Sequence, residues 1–203
     1  MPRSAYGVLR AELARKVLHL LIALVPSLAA LSRSHTALLL MVGILIYTCA
    51  ESLRFLGFSP PFVSSVTAAV SRKREQGHFV LGPVTLGLGA LLPLLLFPPP
   101  VAALAVYVLA FADSASTIVG KFLGRLRPAF LSGKSLEGIL ACFAAAALTG
   151  FLLFHDWRLA AAAGLASMLV DVFPIKDFDN LVLPLAAGFT VLVFQSCVFV
   201  FLP

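Results

Sequence analysis

The chain reads as an all-α polytopic membrane protein. It is expected to form a single domain over residues 1–203, with about seven transmembrane helices, a cytosolic N-terminus and an outside C-terminus. Three observations predict this. Hydrophobic residues make up 61% of the chain and charged residues 12%, with a mean hydropathy of +1.04, against about 45–50% apolar and about 25% charged in a soluble domain. The apolar residues fall into seven long runs. The basic residues sort to one side of those runs.

The runs follow in order. The first extends from Glu12 to Leu31 and the second from His35 to Ala50. The third opens at Gly82-Pro83 and closes at Phe97; the fourth follows Pro98-Pro99-Pro100 and reaches Asp113, or continues to Val119. The fifth covers Ile139–Phe154, the sixth Arg158–Phe173 and the last Leu181–Leu202. A spanning helix needs roughly 20 residues, with a lower limit of about 17. Several runs fall short unless their polar ends enter the membrane, so those ends are expected to be functional; re-entrant segments are the alternative. No small-residue cleavage site follows the first run, so it is expected to be retained.

With the N-terminus inside, thirteen Lys and Arg residues fall inside and two, Arg33 and Arg158, fall outside. This is the positive-inside bias of a membrane protein. It accounts for the net charge of +6 without nucleic acid as a partner. Glu12, Glu51, Glu75, Asp113, Glu137, Asp171, Asp177 and Asp179 also fall inside, and Asp156 outside. Acids obey no such topology rule, so their gathering at one face implies a polar site there, facing the cytosol.

Between the second and third runs, Ser59-Pro60-Pro61 precedes Phe62, Val63, Val66, Ala69 and Val70, then Arg72-Lys73-Arg74. Spacing of 3 and 4 with a basic end suits a short interfacial helix, or a basic topology anchor alone. Cys49, Cys142 and Cys197 are scattered through apolar runs and are expected to pack. No Cys/His metal pattern and no serine-histidine-acid set is evident; His35 and His155 fall outside and His78 in a loop.

Four patterns bear on chemistry. Glu12, Arg15, Lys16 and His19 share one helical stripe where the first run begins; ionisable groups there require partners, water or a ligand. Asp113, Thr117, Gly120 and Gly124 share a face on which small residues admit a close backbone or a phosphate chain. A small-residue helix contact explains the glycines equally well, but it does not need the carboxylate. Gly133-Lys134-Ser135 has the core of a P-loop without its context, because Pro128 stands where the leading Gly belongs and no βαβ unit is present. Backbone N–H groups, Lys134 and a helix start still favour an anion, while Ser135 also suits an N-cap. Last, Asp171, Asp177, Asp179 and Asn180 surround a Pro-broken loop of the kind that holds a hard cation such as Mg²⁺, or that merely caps the last helix.

The ordered set resembles the CTP-dependent lipid kinase family, which includes dolichol kinase, phytol and farnesol kinases and the CTP-using diacylglycerol kinase. The resemblance rests on Glu12-x-x-Arg15-Lys16-x-x-His19, Gly82-Pro83, Asp113-x-x-x-x-x-x-Gly120-x-x-x-Gly124, Gly133-Lys134-Ser135-x-Glu137-Gly138, and Asp179-Asn180 with Pro184. Asp113-Ser114-Ala115 stands where the family often has Asp-Pro-Ala or Asp-Ala-Ala, and Asp171 where it often has Glu; both departures keep the carboxylate. The resemblance implies transfer of the γ-phosphate of CTP to a membrane lipid alcohol at the cytosolic face, with Mg²⁺. It implies Asp113, Glu12 and His19 as catalytic groups. Arg15, Lys16, Gly120, Lys121, Gly124, Arg125, Gly133, Lys134, Ser135, Glu137, Gly138 and Asn180 would bind nucleotide or phosphate, and Asp113, Asp171 and Asp179 the metal. The nearest alternative enzyme is a CTP:phosphatidate cytidylyltransferase, whose closing Gly-His-Gly-Gly and Asp-Arg signature is not found here. A small membrane transporter is the alternative of another class.

The charge bias predicts that tags on the two ends report opposite sides of the membrane. Protease access in sealed vesicles checks this; both tags on one side would mean an even number of spans.

Overall fold

The computed structural model describes residues 15–58, 78–131, 133–173 and 178–201. Glu12, the expected interfacial segment, Arg72-Lys73-Arg74, Glu75 and Asp177 lie outside the described residues. Every regular element among those described is a helix.

Helix α1 (15–22) leads into α2 (Val25–Leu31) through a tight turn. There Ala23 and Leu24 donate to Leu20 and Leu21 three residues back, just ahead of Pro26, whose missing N–H and ring disfavour an unbroken helix. Helix α3 (Arg33–Phe55) starts at Ser32, whose side chain accepts from the backbone N–H of His35. Helix α4 (Gly82–Leu96) opens with Pro83 in its first turn and stops before the Pro98-Pro99-Pro100 triplet. Its end is closed by Arg33. The guanidinium donates to the Leu94 carbonyl through Nε at 2.6 Å and to the Phe97 carbonyl through Nη2 at 2.9 Å. A basic side chain on orphan C-terminal carbonyls is favourable, so one of the two arginines expected outside is a helix cap.

The fourth apolar run is longer than its hydrophobicity suggests. Helix α5 (Pro99–Tyr107), a π turn (Val108–Ala112) and α6 (Asp113–Phe122) form one unbroken rod from Pro99 to Phe122. Asp113 therefore stands within a helix, roughly 13 Å from the far end of α6 at 1.5 Å per residue, and not at the end of the rod. Helix α7 (Leu136–Phe154) is capped by Ser135 and ends at His155, which adopts the left-handed conformation at φ 53°. Helix α8 (Trp157–Val172) is capped by Asp156, which accepts from Arg158 N–H at 2.8 Å. The acid expected outside is thus a cap as well. Helix α9 (Asp179–Phe201) closes the chain.

The rod is the hub. Val101, Leu104, Ala105, Val106, Val108, Leu109, Ala110 and Ala112 are all buried, and α2, α4, α7 and α9 contribute the core around them. The surrounding helices turn large apolar side chains outward, among them Leu39, Leu45 and Ile46 on α3 and Leu140, Leu148 and Leu152 on α7. A soluble protein does not present such a surface; lipid accommodates it. Four helices are long and apolar enough to cross a membrane: Arg33–Phe55, Pro99–Phe122, Leu136–Phe154 and Asp179–Cys197. Helix α4 has 15 residues and α8 has 16, short of about 17, and the first run is broken at residues 23–24.

Glu51, which follows the second apolar run, is fully buried. Its carboxylate accepts from Arg54 through both oxygens, at 2.6 and 2.8 Å, and from the Val80 N–H at 3.0 Å. Arg54 in turn donates to the His78 carbonyl at 3.0 Å. The acid fastens the returning chain to the end of α3. Glu51→Ala strands a guanidinium and an N–H, and is expected to destabilise by about 3 kcal/mol. Thermal unfolding in micelles checks this, with a lower Tm than for Glu51→Gln.

Candidate functional site

A cavity of about 480 Å³ opens where α1, α4, α6, the start of α7, the end of α8 and the start of α9 converge. This volume lies in the range of small-molecule sites, about 300–1,000 Å³. The sequence places its ionisable residues there because most of them begin or end a helix, while Asp113 enters through the rod.

Asp113 comes directly after the π turn. A π turn inserts a residue into the α register, which rotates the succeeding residues by roughly 100°. The preceding residues face the core, and Asp113, Ser116, Thr117 and Gly120 line the cavity. Lys16 crosses from α1 to meet Asp113 Oδ2 with Nζ at 2.5 Å, and also donates to the Asp113 carbonyl at 3.1 Å. His19, one turn on, brings Nδ1 to 2.9 Å from the same Oδ2. The approach does not have hydrogen-bond geometry, so the contact is an ion pair only when the ring carries a second proton. Lys16 and His19 are both buried. Two groups of the stripe therefore serve one carboxylate.

A second pair repeats the theme. Lys134 Nζ lies 2.5 Å from Asp171 Oδ1 and also donates to the Asp171 carbonyl, while Ser116 Oγ donates to Asp171 Oδ2 at 2.6 Å. These bonds join the loop before α7, the end of α8 and the rod. Asn180 supplies a further tie, donating through Nδ2 to Thr85 Oγ1 at 3.2 Å and so fixing the start of α9 to α4.

Most of the residues singled out from the sequence line this one cavity: Arg15, Lys16, His19, Asp113, Gly120, Lys121, Gly133, Lys134, Ser135, Gly138, Asp171, Asp179 and Asn180. Three do not. Glu137 turns away and accepts the Arg125 and Leu126 N–H groups at 2.9 and 3.1 Å, holding the loop after α6. Arg125 takes part through that backbone contact. Gly124 packs against the Gly120 carbonyl and the Ser135 side chain. Their place is structural: Ser135 and Glu137 organise the start of α7 and the neighbouring loop, as N-caps and first-turn acids do. Sequence reasoning passes over Ser116 and Arg127. Arg127 Nη1 and Nη2 donate to the Gly133 and Gly120 carbonyls, both at 2.8 Å, and the residue lines the cavity. Ser116 lies one turn beyond Asp113, and that spacing is the signal that could have found it.

Asp113, Asp171 and Asp179, expected to hold the metal, all line the cavity. Among the described residues no group of three His, Cys, Asp or Glu side chains is placed to hold a metal ion. Asp113 and Asp171 are each engaged by a lysine instead.

No family model matches the chain, and neither the curated proteins nor the solved structures give a match.

The glycines hold two walls together. A Cβ on Gly138 would lie 2.8 Å from the Ser116 carbonyl oxygen and 3.0 Å from Gly120 Cα, closer than side-chain carbons approach. Gly138→Ala is expected to push α7 off α6 and to destabilise by about 1–3 kcal/mol. Gly43→Ala, with nothing within 4 Å of the added methyl, is the control and should leave the Tm level or raise it.

Proposed function

We propose that the protein is a CTP-dependent lipid kinase that transfers the γ-phosphate of CTP to the hydroxyl of a membrane lipid alcohol, with its site facing the cytosol and its helices forming seven membrane segments. The observation that carries the proposal is the convergence of motifs far apart in the chain: Lys16 and His19, Asp113 to Gly120, Gly133 to Gly138, and Asp179-Asn180 all reach one cavity. The exposed apolar girdle and the set of polar helix ends support the same placement.

In this reading Lys134, Lys121, Arg127 and Arg15, all lining the cavity, hold the polyphosphate, since guanidinium and ammonium donors suit phosphate oxygens. Gly133, with nothing within 4 Å of an added Cβ, leaves room for the chain of phosphates, while Gly120 and Gly138 bring α6 and α7 together beside it. Mg²⁺ enters as the ion of the nucleotide and not as a resident of the protein. The lipid hydroxyl approaches Asp113, which accepts its proton as the oxygen bonds to the γ-phosphorus and the bond to the β-phosphate oxygen breaks. The products are the lipid phosphate and CDP. Positioning and charge compensation supply most of such catalysis. His19 and Lys16 act through Asp113, setting its orientation and charge.

One observation favours a different class. Asp113 stands well inside the helix bundle, paired with a lysine, as ionisable groups on transport paths do. Labelled nucleotide separates the readings. CTP labelled at the γ-phosphate is expected to mark a lipid alcohol, while CTP labelled at the α-phosphate leaves lipid unmarked. Label from the α position alone would indicate a cytidylyltransferase. No transfer to any polyprenol, phytol, farnesol or diacylglycerol would favour a transporter.

Asp113→Asn and Asp179→Asn keep size and remove charge. Each is expected to lower turnover about 10²-fold or more, the scale of a positioned acid–base group. Asp156→Asn, which retains a good helix cap, should be near neutral. Full activity in well-expressed Asp113→Asn would exclude that carboxylate from the chemistry.

A further inference from the structure

Among the described residues, the hydroxyl side chains that line the cavity are those of Ser116, Thr117 and Ser135. Ser135 accepts from the Gly138 N–H at 3.2 Å and caps α7. Ser116 differs, because its hydroxyl is bonded to a carboxylate. Its Oγ donates to Asp171 Oδ2 at 2.6 Å, and Lys134 Nζ holds Oδ1 of the same carboxylate at 2.5 Å. A hydroxyl in reach of a base, with that base oriented by a third group, is the arrangement that activates a side-chain nucleophile. A plain tie between the rod and α8 would use the bond from Ser116 to Asp171. It would need neither the lysine on the other oxygen nor a place on the cavity.

The position of Ser116 suits a reacting group. It lies one turn beyond Asp113 on α6, beside the carboxylate that takes the proton of the acceptor in the kinase reading. Its turn is also clamped. A Cβ on Gly138 would come within 2.8 Å of the Ser116 carbonyl oxygen, so the start of α7 is seated directly on that backbone. The hydroxyl is therefore fixed from behind by α7 and aimed by Asp171, and preorganisation of this kind lowers the cost of reaching a reactive geometry.

We propose that Ser116 is a phosphoryl acceptor within the protein itself, taking the γ-phosphate of the nucleotide when no lipid alcohol occupies the site. The proposal rests on the kinase reading above and adds a self-modification to it. As phosphate oxygens draw Lys134 away from Asp171, the carboxylate loses its cation and keeps the Ser116 hydroxyl as its donor. The Ser116 oxygen forms a bond to the γ-phosphorus and its proton passes to Asp171 Oδ2. The bond from the γ-phosphorus to the bridging oxygen breaks, and CDP leaves with the electron pair. The product is a phosphoserine on the cavity lining, beside Lys134, whose ammonium suits the new phosphate oxygens.

The test incubates the full chain in phosphatidylcholine vesicles with γ-labelled CTP and Mg²⁺ and without a lipid alcohol. Label is expected on the protein itself, stable to denaturation and acid, released by alkali, and confined to the peptide that carries residue 116. CTP labelled at the α-phosphate is expected to leave the protein unmarked. Ser116→Ala is expected to lose the label. Ser114→Ala, whose buried hydroxyl has no partner and does not line the cavity, is expected to keep it. Asp171→Asn keeps the size of the base without its capacity for a proton, and is expected to slow self-labelling about 10²-fold. If Ser116→Ala does not fold, the position of the label in the unmodified protein decides. Label that passes to an added lipid alcohol but never to the protein overturns the inference and leaves the kinase reading standing, as does protein label that maps elsewhere or persists in Ser116→Ala. Label on neither the protein nor an added lipid alcohol overturns both.

Discussion

An ionised carboxylate well inside a helix bundle is stable only if a cation comes to it, and Asp113 sets this condition for the whole site. Lys16 satisfies it at 2.5 Å from a position that is itself 4% exposed. Neither partner can be removed without stranding the other charge. The pairing fixes α1 against the rod, although α1 shows largely apolar side chains elsewhere. Lys134 and Asp171 apply the same constraint to the loop before α7 and the end of α8, and Ser116 connects the second pair to the turn of the rod just beyond Asp113. The walls of the cavity are thus joined by charge as much as by packing.

The architecture around those pairs depends on an apolar rod that contributes almost nothing polar until Asp113. Small and branched residues from Val101 to Ala112 allow four helices to approach it closely, and glycines bring the start of α7 to within backbone contact of α6. The π turn lies at the junction between these two regimes. The residues before it are buried nearly all round the helix, and those after it include the cavity-lining Asp113, Thr117 and Gly120.

Much of this is legible in the sequence, and the exceptions have physical reasons. Helical class, a membrane-type composition and the order of the apolar runs come from hydrophobicity, which the bilayer environment makes unusually informative. The gathering of Lys16, His19, Asp113, Lys134, Asp171 and Asn180 can be anticipated because an acid or base at the end of an apolar run has few alternatives to a shared polar site. Glu137 and Gly124 mislead for the opposite reason. A first-turn carboxylate and a small residue each have a cheap structural use, and nothing in one sequence distinguishes that use from ligand binding. Glu51 resembles a site acid and proves to be a tether: Arg54, one turn on, is within reach in the sequence, but Val80 is 29 residues away. The continuation of the rod past Asp113 is legible as the extension of the run to Val119 and in the helical spacing of Asp113, Thr117, Gly120 and Gly124, although polar residues interrupt the apolar signal there.

The two Lys–Asp pairs also determine what the cavity can bind. The pocket carries two of its own counter-ions, so an anion that engages Lys16 or Lys134 takes part in an exchange and does not meet bare positive charge. Each of these two lysines, once engaged, must loosen from its aspartate, and each aspartate so released must find a proton, a metal ion or another donor. A singly charged anion can engage only one pair and gains little. A polyphosphate can reach both and bring a cation of its own to the carboxylates. If the cavity takes an anion, these two pairs favour a highly charged one over a singly charged one.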